Sequence, residues 1–141
     1  VIVASLGSFF TDLGMDWYET IATPEWTPSG GVIGTVWTTI FILSTISALI
    51  IWNKGKGKRY FRPIIFLFVI NAFLNVLWSY LFFGSSLIGF AVWEAGVLGL
   101  SVLFLIIFNW RISKTASLLL APYFLWVMFA TWLNYIIFTL N

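Results

Sequence analysis

The feature that most limits what this chain can become is the recurrence of apolar runs long enough to cross a bilayer, at 31–52, 61–83, 87–110 and 116–140. A hydrocarbon core of about 30 Å takes about 20 apolar residues as a helix, the one open-ended structure that satisfies its own backbone hydrogen bonds there. Residues 1–13 form a fifth, shorter run. It lacks an initiator Met, so we expect the natural chain to start upstream of Val1. A cleaved signal peptide is the lesser reading, because the run continues through Thr11–Gly14 without an A-x-A-like site. At 61% hydrophobic and 9% charged residues, with a mean hydropathy of +1.02, the composition is far too apolar for a soluble domain. The expected fold is an all-α membrane protein, a single domain built as a bundle of five transmembrane helices (about 1–13, 31–52, 61–83, 87–110 and 116–140) with a long outer loop at 14–30.

Charge orients the bundle. Every base lies in one of two connections: Lys54, Lys56, Lys58, Arg59 and Arg62 in one, Arg111 and Lys114 in the other. Both should be cytoplasmic. The end of the first run and the loop after it carry Asp12, Asp16, Glu19 and Glu25 and no base, and the connection Gly84-Ser85-Ser86 is short and neutral. Both belong on the far side, which puts the N-terminus inside and the C-terminus outside. The pI near 9.1 then reflects topology and attraction to anionic lipid, and no basic surface is left over for nucleic acid. With no His and no Cys, there is no Cys/His zinc site, thiol nucleophile, Ser-His-Asp triad or His- or Cys-ligated haem. The run Lys54-Gly55-Lys56-Gly57-Lys58 is a basic turn between helices, with no strand before it to make it a phosphate loop.

Polar residues inside the spans mark where function would sit. In 71-NAFLNVLWSYLFFG-84, Asn71, Asn75 and Ser79 fall at i, i+4 and i+8 and share one helix face, with Trp78 beside them. At about 1.5 Å per residue, Trp37, Asn75, Ser79, Glu94, Trp132, Asn134 and Tyr135 come out roughly 5–15 Å below the outer surface. Above that level lies 17-WYETIATPEWTPSGG-31, whose Trp17, Tyr18 and Trp26 sit among the stiffening Pro24 and Pro28. We therefore expect a polar and aromatic cavity in the outer half, covered by an ordered lid of Trp17, Tyr18, Pro24, Trp26 and Pro28. Its expected ligand contacts are Trp37, Asn75, Trp78, Ser79, Phe90, Glu94, Trp126, Ala130, Asn134 and Tyr135. A purely structural role competes at several of these positions. Asn71, Asn75 and Asn134 can tie helices together, and Trp52 and Trp110, beside basic loops, suit the interfacial belt. Glu94, the lone ionisable group within a span, must be paired, protonated or turned to a wet cavity. The stripe Ala91, Ala95, Gly99 suits close helix packing, within one monomer in preference to a dimer seam.

Along almost its whole length the chain resembles the tryptophan-rich sensory proteins, or translocator protein (TspO/MBR) family. The likeness rests on 17-WY-18 followed by 24-PEWTP-28, on Gly34 and Trp37, on 75-NVLWSYLFFG-84, on Glu94 at the family's acidic position, and on 122-PYFLWVMFATWLN-134 with Asn141. The resemblance implies a five-helix bundle, commonly a dimer, with a pocket under the first loop for porphyrins and synthetic aromatic ligands, and for sterols in animal members. It further implies that Trp37 is a pocket tryptophan linked to porphyrin chemistry, that Asn75 and Trp78 belong to the third-helix signature, and that Ala130 tunes ligand affinity. Three departures stand out. Thr23 replaces a common Lys, and Ser29 replaces the second proline of a Pro-Pro pair, which predicts a less rigid loop. Tyr135 stands where porphyrin-degrading bacterial relatives carry a second tryptophan. No base follows Tyr135, so the sterol-associated pattern is incomplete.

The leading functional reading is a receptor or carrier for porphyrins and other tetrapyrroles in a bacterial or archaeal cell membrane. It requires no cofactor or metal, and its partners are the tetrapyrrole, the lipid bilayer and, by resemblance, a second copy in a homodimer. A light- and oxygen-dependent porphyrin-degrading enzyme is the alternative, with Trp37 and secondarily Trp132 as the catalytic residues. A stress-linked membrane scaffold is a third reading. No acid–base pair points to hydrolysis.

Overall fold

A computed structural model describes residues 2–141. The chain forms five long helices and one short helical turn: α1 (Ile2–Tyr18), α2 (Gly30–Gly55), α3 (Phe61–Ser79), α4 (Ile88–Trp110), α5 (Lys114–Leu118) and α6 (Ala121–Leu140). Among the described residues, four stretches are long and apolar enough to cross a membrane, namely α2, α3 with the turn that follows it, α4, and α5 with α6. With its 17 residues, α1 is the fifth long helix of the bundle.

Two boundaries differ from the sequence reading, each for a tertiary reason. The first helix runs on to Tyr18, so Trp17 and Tyr18 form its last turn and the loop is confined to 19–29. Gly14 makes this possible: a Cβ at that position would run into the backbone of Phe83, so only glycine lets α1 dock this closely. Contacts with the third span then carry helical structure through a segment whose polarity reads as loop. The other difference is at the last span. Pro122 lies in the first turn of α6 and has no N–H to donate, so the helix is interrupted at Leu119–Leu120 and α5 stands as a separate turn. Ser113 caps α5 by accepting the Ala116 N–H at 3.2 Å.

After Ser79 the backbone of the third span widens into a π-helical turn, Tyr80–Gly84. The Ser85 N–H donates to the Tyr80 carbonyl at 2.8 Å, and that of Leu87 to Leu81 at 2.7 Å. This wide turn is the surface on which α1 docks.

At the centre of the bundle, α4 packs most extensively against α6 and α3. Its small-residue stripe serves this purpose. Ala91, Ala95 and Gly99 are buried, and a Cβ at Gly99 would stand 3.4 Å from Val127 of α6. By contrast, α2 is fastened mainly at the basic end. There Ser47 Oγ donates to the Ala116 carbonyl at 2.7 Å and accepts from Asn109 Nδ2 at 3.4 Å, and Ile51 and Gly55 are buried. At the same end, Lys56 lies over Trp52 and Lys114 over Trp110, both indoles half exposed.

Candidate ligand-binding site

The polar face of α3 is buried as its spacing predicts, with Asn71, Asn75 and Ser79 all under 10% exposed. Burial in a bundle leaves these groups no water, so they must find one another. Asn71 Nδ2 donates to Ser101 Oγ at 2.9 Å, and Ser101 Oγ donates in turn to the Leu98 carbonyl at 2.6 Å. Tyr123 of α6 closes the network: its hydroxyl donates to Asn71 Oδ1 at 2.9 Å and accepts from Asn75 Nδ2 at 3.0 Å. One turn further along, Trp78 Nε1 donates to Asn134 Oδ1 at 2.9 Å. Three helices are thus tied at the depth where the sequence concentrates its polar groups.

Next to this network lies a cavity of about 590 Å³, within the usual range for small-molecule sites. Its walls come from α1, α2, α3 with the π turn, α4 and α6. Trp37 and Phe41 face it from α2, Trp78, Phe82 and Phe83 from the third span, and Trp126 and Phe129 from α6. The aromatic wall is braced. Trp78 stacks on Phe82 at 5.2 Å and 12°, Trp17 and Tyr18 pack against Phe82 from α1, and Trp37 meets Tyr123 edge-on at 6.1 Å. Asn75, Ser79 and Asn134 supply polar points, and Asp12 and Glu19 lie toward the loop end. The Nε1 of Trp126 and Nδ2 of Asn134 are buried donors without a hydrogen-bond partner among the described residues. Such groups are ready to engage an acceptor.

Of the residues the sequence singled out as ligand contacts, Trp37, Asn75, Trp78, Ser79, Trp126, Ala130 and Asn134 line this cavity, as do Tyr18 and Pro28 of the expected lid. Four lie elsewhere. Phe90 and Tyr135 border a separate, open groove of about 690 Å³ on the outside of α4 and α6 and are more than half exposed, because a lipid-facing position and a cavity-facing one can lie at the same depth on one helix. Trp132, 53% exposed, also faces outward, where Trp26 of the loop stacks on it at 4.7 Å and 12°. Glu94 is buried behind the cavity wall, and neither carboxylate oxygen has a hydrogen-bond partner among the described residues. The α4–α6 register, read from Gly89 against Phe138 and Gly99 against Val127, sets Glu94 level with Trp132 and Leu133.

The loop is ordered against α6. Asn141 Oδ1 accepts the Ala22 N–H at 3.0 Å, and its Nδ2 donates to the carbonyls of Ala22 at 2.9 Å and Ile137 at 2.8 Å. Trp26 stacks outside, Trp17 braces Phe82, and Pro24 accepts from Thr27, so these three act as supports of the covering segment without facing the cavity. Ser29, in place of a second proline, caps α2 by accepting the Val32 N–H at 3.3 Å.

Sequence reasoning missed Tyr123, the hub of the network, the α1 face, and the α2 face apart from Trp37. The signal for those faces was present: Ala4, Gly7, Ser8, Thr11 and Gly30, Ile33, Gly34, Trp37, Thr38, Phe41 each follow helical spacing and each line the cavity.

A sequence model of the TspO/MBR family matches residues 1–140. The chain is 36% identical over 125 residues to the tryptophan-rich protein TspO of Bacillus cereus, an overlap of 89% of this chain and 80% of the relative. To the protein of the same name from Archaeoglobus fulgidus it is 36% identical over 138 residues, 96% and 87% of the two chains. It shares 28% identity over 130 residues with the human translocator protein, 91% of this chain and 76% of that one.

Proposed function

The chain belongs to the TspO/MBR family of membrane proteins, and on that premise we propose that it is a receptor or carrier for porphyrins and related tetrapyrroles. The observation that carries this reading is the cavity itself: three indoles, Trp37, Trp78 and Trp126, around about 590 Å³, with Asn75 and Asn134 as polar points. A flat conjugated ring gains most of its affinity from stacking and apolar burial, while one or two amides orient its polar edge. In this reading the basic end of the bundle faces the cytoplasm and the loop end faces outward.

Titration with protoporphyrin IX, followed by quenching of tryptophan fluorescence, tests it. Binding is expected near 1 µM, about −8 kcal/mol. Trp37→Phe should weaken it about 2- to 12-fold, the loss of about 0.5–1.5 kcal/mol of stacking. Trp110→Phe, at the basic end, should not change it. Equal losses would trace the effect to stability and not to the site.

The same indoles keep a second reading in play, light- and oxygen-dependent breakdown of the bound porphyrin, since Trp37, Trp78 and Trp126 are the oxidisable side chains an excited ligand would meet. Illumination in air separates the two. A carrier retains the porphyrin absorbance, whereas an enzyme loses it in a manner that depends on Trp37.

A further inference from the structure

The two helices that follow one another at the start of the chain do not close against each other. Among the described residues, α1 packs on α3 and the π turn, α2 packs on α3, α5 and α6, and contact between α1 and α2 is minimal. Over its loop-end third, Gly30–Thr39, α2 has no buried residue. Small side chains are prominent along the two edges, Ala4, Ser8 and Thr11 on α1 and Gly30, Gly34 and Thr38 on α2, beside the larger Ile33, Trp37 and Phe41. A Cβ added at Gly30 or Gly34 would meet nothing within 4 Å, so these glycines border open space. From Gly30 to Thr38 the opening runs about 12 Å along the helix axis, roughly from the loop-end surface toward the midplane of a bilayer.

The end of the cavity is arranged in the opposite way. Loop 19–29 is held to α6 by the Asn141 bonds to both polar atoms of the Ala22 backbone and by the stack of Trp26 on Trp132. The aqueous approach on that side also carries Asp16, Glu19 and Glu25 with no base, a field that repels a ligand bearing carboxylates.

We infer that the cavity exchanges its ligand sideways with the bilayer, through the slot between α1 and α2, and that loop 19–29 is a fixed cover, not the door. The ligand is accordingly an amphiphile already dissolved in the membrane. This rests on the binding reading above, and one arm of its test is independent of the ligand.

The chain has no cysteine, so introduced pairs are unambiguous. Ser8→Cys with Thr38→Cys, joined by a short bismaleimide, ties the slot; Ala22→Cys with Asn141→Cys, joined by the same reagent, ties the cover. Protoporphyrin IX is supplied from phosphatidylcholine vesicles to each protein in proteoliposomes, and quenching of tryptophan fluorescence is followed in time. Tying the slot should slow association at least ten-fold, and tying it after loading should slow release as much with the bound spectrum unchanged. Tying the cover should change both less than two-fold. Gly34→Leu, which projects into open space and leaves the packing intact, should slow association without cross-linking. The inference is overturned if the tied cover slows exchange and the tied slot does not, or if neither does. Failure of protoporphyrin to bind the unlinked protein would refute the tetrapyrrole reading alone. The slot is then judged by a nitroxide on Gly34→Cys: relaxation by membrane-dissolved oxygen exceeding that by an aqueous nickel chelate upholds it, and the reverse order overturns it.

Discussion

Replacing Tyr123 by Phe tests whether the buried network, and not apolar packing alone, sets the geometry of the cavity wall. The substitution removes one oxygen and keeps the ring, which is 3% exposed and packed against Trp37. Two hydrogen bonds go with that oxygen, at 2.9 Å to Asn71 and 3.0 Å from Asn75. Hydrogen bonds between transmembrane helices contribute about 0.6 kcal/mol each on average and up to about 1.7. The two orphaned groups then differ. Asn75 borders the cavity and can turn toward it, whereas Asn71 Oδ1 is sealed between helices, and an unpartnered buried acceptor costs about 1–3 kcal/mol. The sum comes to about 2–4 kcal/mol. Titration with SDS from dodecylmaltoside micelles, followed by helical circular dichroism, measures it, and the half-exposed Tyr135→Phe serves as the reference at under about 0.5 kcal/mol. Asn71→Leu combined with Tyr123→Phe should cost about 1 kcal/mol less than the two singles added, since both partners of one bond are then gone. If Tyr123→Phe is as mild as Tyr135→Phe, the network is incidental, and the argument that polar burial positions this wall is wrong.

Gly14→Ala should detach α1 from the π turn, because the added methyl meets the Phe83 backbone and no side chain can yield; a loss of more than about 3 kcal/mol is expected, while Gly96→Ala, with nothing within 4 Å, should be neutral or gain up to about 1 kcal/mol in the same titration. A reporter fused after Asn141 should lie outside the cytoplasm and one inserted at Gly57 inside it, and finding both on one side would end the five-span orientation. Glu94→Gln should leave stability unchanged or raised, since the carboxylate has no partner among the described residues; a loss above about 2 kcal/mol in the SDS titration would show that a buried charge is being paired.

Much of the bundle was legible because its determinants are local. Apolar length gives the spans, and the face 71, 75, 79 gives the buried side of α3. Depth counting also brought Trp37, Asn75, Ser79 and Asn134 to one level, where the cavity lies. What it could not supply is azimuth. Tyr135 and Trp132 have the correct depth and the wrong face, one helical residue from Asn134 and two from Asn134 respectively, because a step of one residue turns a side chain by about 100°. Tyr18 illustrates the converse: a position read as loop becomes part of a wall because Gly14, four residues earlier, lets α1 reach Phe83.

The same reasoning explains why the loop-end part of α2 has no buried residue and yet contributes Trp37. A helix wrapped on all sides would have its glycines and threonines pressed against neighbours, and Gly30 and Gly34 are not. The threonines instead satisfy themselves: Thr35, Thr38 and Thr39 each donate to the carbonyl four residues back, at 2.8–2.9 Å, so none of them needs a partner across the gap. Self-satisfied polar groups and absent side chains let this part of α2 border hydrocarbon or a ligand without penalty to the fold. Anchorage is left to Ser47, Ile51 and Gly55 at the other end. A helix fixed at one end and unburdened at the other keeps an opening beside an ordered cavity, and the constraint that selects Trp37 for the wall is then the ligand it meets and not the packing of the bundle.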